Sequence, residues 1–196
     1  LGQLGGIVGG VGQALAISIP LTAAGREYDH FAEGRAKLVL QTLIAECERL
    51  GIMVDLAHLN PAGIEDVLRL TTKPVIVSHT NPRRYNDLER NISDNHIREV
   101  GRRGGVIGIN AVLLSQDPAQ ATLGHYVDHV EYVAELAGID SVGIGFDFIE
   151  FLYKHWTLEQ QDALNRALIP PSHVPGLTNH GHARNLTTTL IARGFS

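Results

Sequence analysis

The chain has 196 residues, 44% of them hydrophobic and 19% charged, and a formal net charge of −5. That apolar content excludes a disordered chain, and 16 Lys and Arg against 21 Asp and Glu leave no basic surplus for a nucleic-acid partner. The single cysteine, Cys47, excludes an internal disulfide or a thiolate zinc cluster and fits a reducing compartment. No run reaches the ~18 apolar residues of a membrane span. Residues 14–21 (ALAISIPL) are short, contain Pro20 and follow no cationic segment. They do not read as a signal peptide, and a cytoplasmic location is expected. The sequence begins at Leu1 rather than methionine, as a processed product or a piece of a longer chain does.

Residues 1–35 read as a glycine-rich lead-in. Their first stretch (LGQLGGIVGGVGQ) lacks the G-K-[ST] of a phosphate loop, so a flexible segment is expected there. Residues 36–50 have apolar side chains at helical spacing, and Gly51 sits where a helix-ending glycine belongs. From there one pattern comes four times: a short apolar, β-branched run, a polar residue, then a helix. Residues 52–56 (IMVDL) lead to His58, 74–78 (PVIVS) to His79, 105–109 (GVIGI) to Asn110, and 141–145 (SVGIG) to Asp147. Such runs, separated by helices, are the mark of strands buried on both faces of a parallel sheet.

The intervening helices have readable ends. Asn60-Pro61 caps a helix to about Leu70, and Ser93 opens one that Gly104-Gly105 terminates. A third spans 123–137 and stops at Gly138; Thr157 with Gln160 forms a capping box for 158–168; a last helix covers 185–193. Parallel strands with right-handed crossovers end on one face, so His58, His79, Asn110 and Asp147 gather on one rim. In α/β folds that rim carries the active site.

Two histidines ending adjacent strands start from backbones roughly 4.8 Å apart, close enough for both imidazoles to share a metal, with Asp147 adding a carboxylate. Other polar groups have plainer expectations. His125 and His129 stand at i, i+4, the spacing of a helical zinc pair, but no Glu follows His125 and a solvated helix face is expected. His180 and His182 form an H-x-H pair in a loop rather than after a strand. Arg83, Arg84 and Arg90 follow His79 on the same rim, where an arginine suits a carboxylate in a bidentate fork.

The segments GIMVDLAHLNPAGIEDVL, KPVIVSHTNPRR, ERNISDNHIREVGRRGGVIGIN, YVDHVEYVAELAGIDSVGIGFDF and NLTTTLIARGFS resemble the membrane (renal) dipeptidase family, zinc hydrolases of the amidohydrolase superfamily. The resemblance covers residues 43–196 and rests on the D-L-[AS]-H, S-H-[ST] and G-x-G-x-D-F motifs together. It implies a (β/α)8 barrel with two zinc ions, hydrolysing dipeptides by a metal-activated water. By the same resemblance His58 and His79 bind the second zinc, and Arg90 grips the substrate's terminal carboxylate. Asp147 handles the substrate amino group and proton transfer.

The departures are specific. The family's His-x-Asp pair on the first strand, its bridging glutamate and its further histidine have no counterpart; the one earlier histidine, His30, follows Asp29. Ile149 stands at the second acidic position of the Asp147 loop. Four βα units are half of a barrel of about 250 residues. The expectation is therefore an α/β chain resembling the C-terminal half of such a barrel over 36–196, with exposed strand edges and an apolar inner face, completed by a missing N-terminal half or a second copy. The alternative is a non-catalytic half-barrel serving as an interaction subunit. A lactam-hydrolysing relative is disfavoured, because an arginine–aspartate pair matches a zwitterion.

Overall fold

The computed structural model describes residues 30–148, 151, 154–167 and 174–196. Most of the 1–35 lead-in, Asp29 and Ile149 lie outside the described residues. In chain order the elements are α1 (His30–Leu50), α2 (Pro61–Leu70), β1 (Ile76–Thr80), α3 (Asp94–Arg102), β2 (Val106–Ile109), α4 (Leu123–Ala137), β3 (Val142–Ile144), α5 (Leu158–Ala167) and α6 (Ala183–Ala192). The three strands pair in the order β1-β2-β3 and both pairs are parallel, so the α/β alternation read from the sequence is the fold.

The helix ends are set by the expected side chains. Asn60 Oδ1 accepts from the Gly63 amide at 2.7 Å, with Pro61 in the first turn, and Ser93 Oγ accepts from the His96 amide at 3.3 Å. Both arms of the Thr157–Gln160 capping box form, at 2.9 and 3.2 Å. Gly138 ends α4 at φ 88°, a conformation that a side chain would resist. Helix α1 begins at His30, ahead of the predicted residue 36, and α6 begins at Ala183, two residues early.

One predicted strand is corrected. Residues 52–56 make only a single bridge, Asp55 to Ile76, with Leu56 N–H donating to the Ile76 carbonyl at 2.8 Å and Ile76 N–H to the Val54 carbonyl at 3.0 Å. The next donor of a parallel ladder is Ser78 N–H, and it goes instead to Asp55 Oδ1 at 2.9 Å, which also accepts from the Ala57 amide at 3.0 Å. A side chain thus replaces the backbone acceptor, and the chain is free to turn away toward His58. Strand β1 lies two residues later than predicted and includes His79 rather than ending before it.

The core lies between the sheet and the helices α3 and α4. Ile107, Ile109, Ile97, Val100 and Val133 are fully buried, and Tyr126 reaches from α4 to donate its hydroxyl to the Ile109 carbonyl at 2.7 Å. Apolar side chains also remain outside the core, as expected for a partial barrel: Ile144, on the edge strand β3, is 50% exposed.

Glu48 ties α1 to the turn before β1. Its carboxylate accepts from the Thr71 hydroxyl and Thr72 amide at 2.6 Å, from the Thr72 hydroxyl at 2.8 Å and from the Lys73 amide at 3.1 Å. Burial alone would raise its pKa, but these hydrogen bonds outweigh it and hold the group at about 2. A pKa depressed on folding stabilises the fold above the unfolded value near 4.5, and that contribution is lost as pH falls toward 2. Glu48→Ala is expected to cost roughly 1–3 kcal/mol at pH 7. In urea titrations the gap from wild type should narrow at pH 3; an equal gap at both pH values would refute the ionised clasp.

Candidate functional site

The site forms where β1, β2 and β3 end. His79 is the fourth residue of β1; its Nδ1 lies 2.9 Å from Ser78 Oγ and its Nε2 2.7 Å from His58 Nε2. The two rings meet edge to face, with centroids 4.8 Å apart. His58 reaches this position from the turn after the Asp55 bridge, at φ 66°. Asp147, beyond β3, is also left-handed at φ 61°. Its Oδ2 lies 3.8 Å from His79 Nε2 and 3.5 Å from Arg90 Nη2, and it accepts from Asn110 Nδ2 at 3.3 Å. Asn110 in turn accepts from the Val112 amide at 2.7 Å, which fixes its amide orientation.

All four rim residues predicted from topology therefore converge. The ligand atoms of His58, His79 and Asp147 lie within 4.8 Å of one another, the single such group of three among the described residues. Burial, reinforced by the Arg90 charge and by His79, lowers the His58 pKa to about 4, although the residue as a whole is exposed. Burial likewise lowers that of His79, against the pull of Asp147. Two neutral imidazoles and a carboxylate are the donor chemistry of a borderline divalent cation such as zinc, so these residues fit a metal.

Two glycines make the convergence sterically feasible. A Cβ on Gly145 would overlap the Ser78 carbonyl oxygen and lie 3.1 Å from His79 Cα; one on Gly108 would meet the same carbonyl. The segment carrying Asp147 thus crosses directly against the strand carrying His79. Asp55 is a further residue of the site, through the turn it holds before His58. Its signal was present in the sequence as the aspartate three residues before that histidine.

The remaining candidates separate. Arg83 pairs with Asp87 at 2.6 Å and Arg84 lies 5.2 Å above the Tyr132 ring, leaving Arg90 alone of the three at the site. His180 stands edge-on to Phe148 at 5.2 Å and His182 Nδ1 lies 3.2 Å from the Thr178 hydroxyl; neither belongs to the ligand group. The solvated face expected for His125 and His129 is corrected. His129 is fully buried, because the loop after β1 brings Asn81 and Tyr85 over it.

Comparison with known proteins identifies the family and the fold. Residues 39–163 match the model of the membrane dipeptidase family, peptidase family M19. The dipeptidase tcpJ of Claviceps purpurea is 30% identical over 156 residues, 79% of this chain and 32% of tcpJ. A metallopeptidase of Rhodobacter sphaeroides, solved with a phosphinate mimic of the dipeptide L-Ala-D-Ala, superposes with TM-score 0.63 and 26% identity over 80% of this chain and 40% of that one. An amidohydrolase of Pseudomonas aeruginosa superposes with TM-score 0.65 and 27% identity, over 80% and 50%. The chain thus spans about a third of the length of tcpJ and at most half of these two structures. Its α/β architecture is part of their barrel fold, and the chain belongs to the membrane dipeptidase family, peptidase family M19.

Proposed function

We propose that this chain supplies the His58–His79 metal position and the substrate-gripping pair of a zinc dipeptidase. The observation that carries the reading is the convergence of His58, His79 and Asp147, with Arg90 Nη2 only 3.5 Å from Asp147. The relative solved with a mimic of L-Ala-D-Ala supports a dipeptide as the substrate class.

His58 and His79 would hold the ion through their Nε2 atoms, and the Ser78 hydroxyl 2.9 Å from His79 Nδ1 would orient the second ring. When bound, zinc supplies a Lewis acid and lowers the pKa of water in its shell. Arg90 and Asp147 neutralise each other in the structure, and a dipeptide zwitterion carries the two complementary charges. Its terminal carboxylate takes Arg90, and its ammonium group takes Asp147. Anchoring both ends fixes the scissile bond near the ion, and a longer peptide would have to place one end elsewhere. Asp147, steadied by Asn110, is the group placed to carry a proton between water and the leaving amine. A second zinc, as the family resemblance implies, would need ligands from outside the described residues.

His58→Ala and His79→Ala are each expected to lower zinc content, measured by metal analysis after dialysis; unchanged content in both would sink the ligand assignment. The function itself is tested by hydrolysis of an L,L-dipeptide by the purified chain with added zinc, with chelator, and in the His58→Ala variant. Zinc-dependent turnover lost in both controls is the expected result. A folded, zinc-loaded chain without turnover would favour the interaction-subunit alternative for the chain acting alone.

A further inference from the structure

A second pair of imidazoles lies outside this site, on α4. His125 Nε2 and His129 Nε2 face each other at 3.4 Å. The opposite nitrogen of each ring is already engaged. Asn81 donates its amide to the Val112 carbonyl at 3.0 Å, so its Oδ1 is the atom turned to His129 Nδ1, also at 3.0 Å. An amide oxygen only accepts, so His129 carries its proton on Nδ1. His125 Nδ1 lies 3.3 Å from Asp128 Oδ2, and Asp128 is held ionised by Arg193, whose Nη2 is 2.9 Å from Oδ1. A carboxylate also only accepts, so His125 carries its proton on Nδ1 as well.

With both rings neutral, as ligands must be, these bonds leave two Nε2 lone pairs pointed at one another, an arrangement that repels unless something positive lies between them. Two nitrogens at this spacing subtend close to a tetrahedral angle at an ion about 2.0–2.1 Å from each. Each ring also has the outer partner typical of a ligating histidine: an amide oxygen for one, a carboxylate for the other. Burial, the largest influence on His129, lowers its pKa and favours the neutral ring. Tyr85 stacks on the His129 ring at 4.4 Å and closes the inner side, while the side chain of His125 keeps 15% exposure on the outer side.

We propose that His125 and His129 form a second metal site, separate from the His58–His79 centre, which takes an imidazole-seeking divalent ion such as Zn2+, Ni2+ or Cu2+ through the two Nε2 atoms, with water completing the shell. The ion would fasten α4 to the loop after β1 through Asn81, which lies two residues beyond His79. The site does not depend on the dipeptidase reading, and its test leaves that reading aside.

In a His58→Ala/His79→Ala background, calorimetric titration with Zn2+ is expected to show one ion per chain, lost on adding His125→Gln. His125 is the partly exposed member of the pair, so its replacement should leave the fold intact, as circular dichroism would verify. Asp128→Asn should weaken binding roughly 10–100-fold by removing the outer partner of His125. Cu2+ bound to the same background should show two equivalent imidazole nitrogens by electron paramagnetic resonance. A folded background chain that binds no ion, or binds it equally with and without His125, would overturn the proposal; a shared proton between the rings would then be what offsets their lone pairs.

Discussion

Replacing Gly145 by alanine is expected to dismantle the metal site without altering any ligand. The new Cβ would coincide with the Ser78 carbonyl oxygen and press on the Ser78 carbonyl carbon at 3.0 Å and His79 Cα at 3.1 Å. All of these are backbone atoms of β1 or its continuation, so no flexible side chain can yield. Overpacking of a tight contact costs roughly 1–3 kcal/mol, and here it also pushes on the backbone that carries His79. The variant should unfold at lower urea and bind zinc more weakly than His125→Gln does. Gly124→Ala is the matched control: it lies in the first turn of α4 with its nearest foreign atom 3.7 Å away, and should be neutral or slightly stabilising. Wild-type zinc affinity in Gly145→Ala would show that the two backbones need not approach this closely.

The second large effect is expected at Asp147. One oxygen, Oδ2, faces His79, Arg90 and Asn110 together. Asp147→Asn keeps the shape and removes the charge, so Arg90 loses its counter-ion and, on the proposed function, a substrate ammonium would lose its anchor. If Asp147 also moves the proton, turnover should fall roughly 10²–10⁴-fold. The two roles are separable, since a lost anchor raises KM and a lost proton carrier lowers kcat. Zinc should remain bound through His58 and His79. Unchanged kcat in a zinc-loaded Asp147→Asn protein would remove the proton role and leave only the anchor.

Much of this site was legible in the sequence, because its logic is topological. Parallel strands place their ends on one rim whatever lies between them, and so His58, His79, Asn110 and Asp147 could be grouped although they span some ninety positions. Local chemistry was equally readable at Asn60, Ser93 and Thr157, whose capping partners are within three residues. What escaped was non-local. The run 52–56 has the composition of a strand, but Asp55 diverts the Ser78 amide from 23 residues away and ends the pairing after one bridge. His129 looked like a solvated helix residue because the groups that bury it, Asn81 and Tyr85, come from the loop after β1, far from α4 in the sequence. Gly145 and Gly108 read as ordinary strand glycines; only the crossing of two backbones shows why a side chain is excluded there.

The left-handed backbone at His58 and Asp147 bears on how this site can be kept. Of the non-glycine residues described, only these two and Leu113 have positive φ. Such residues raise the energy of the folded state by about 1 kcal/mol or more each, and glycine or asparagine would relieve it. Selection for thermal robustness alone would therefore drift toward Gly or Asn at positions 58 and 147, discarding the proposed ligand and the proposed anchor first. A library of this chain sorted only by melting temperature should enrich inactive sequences, and any homologue that keeps His and Asp at both places records a continuing demand for the chemistry.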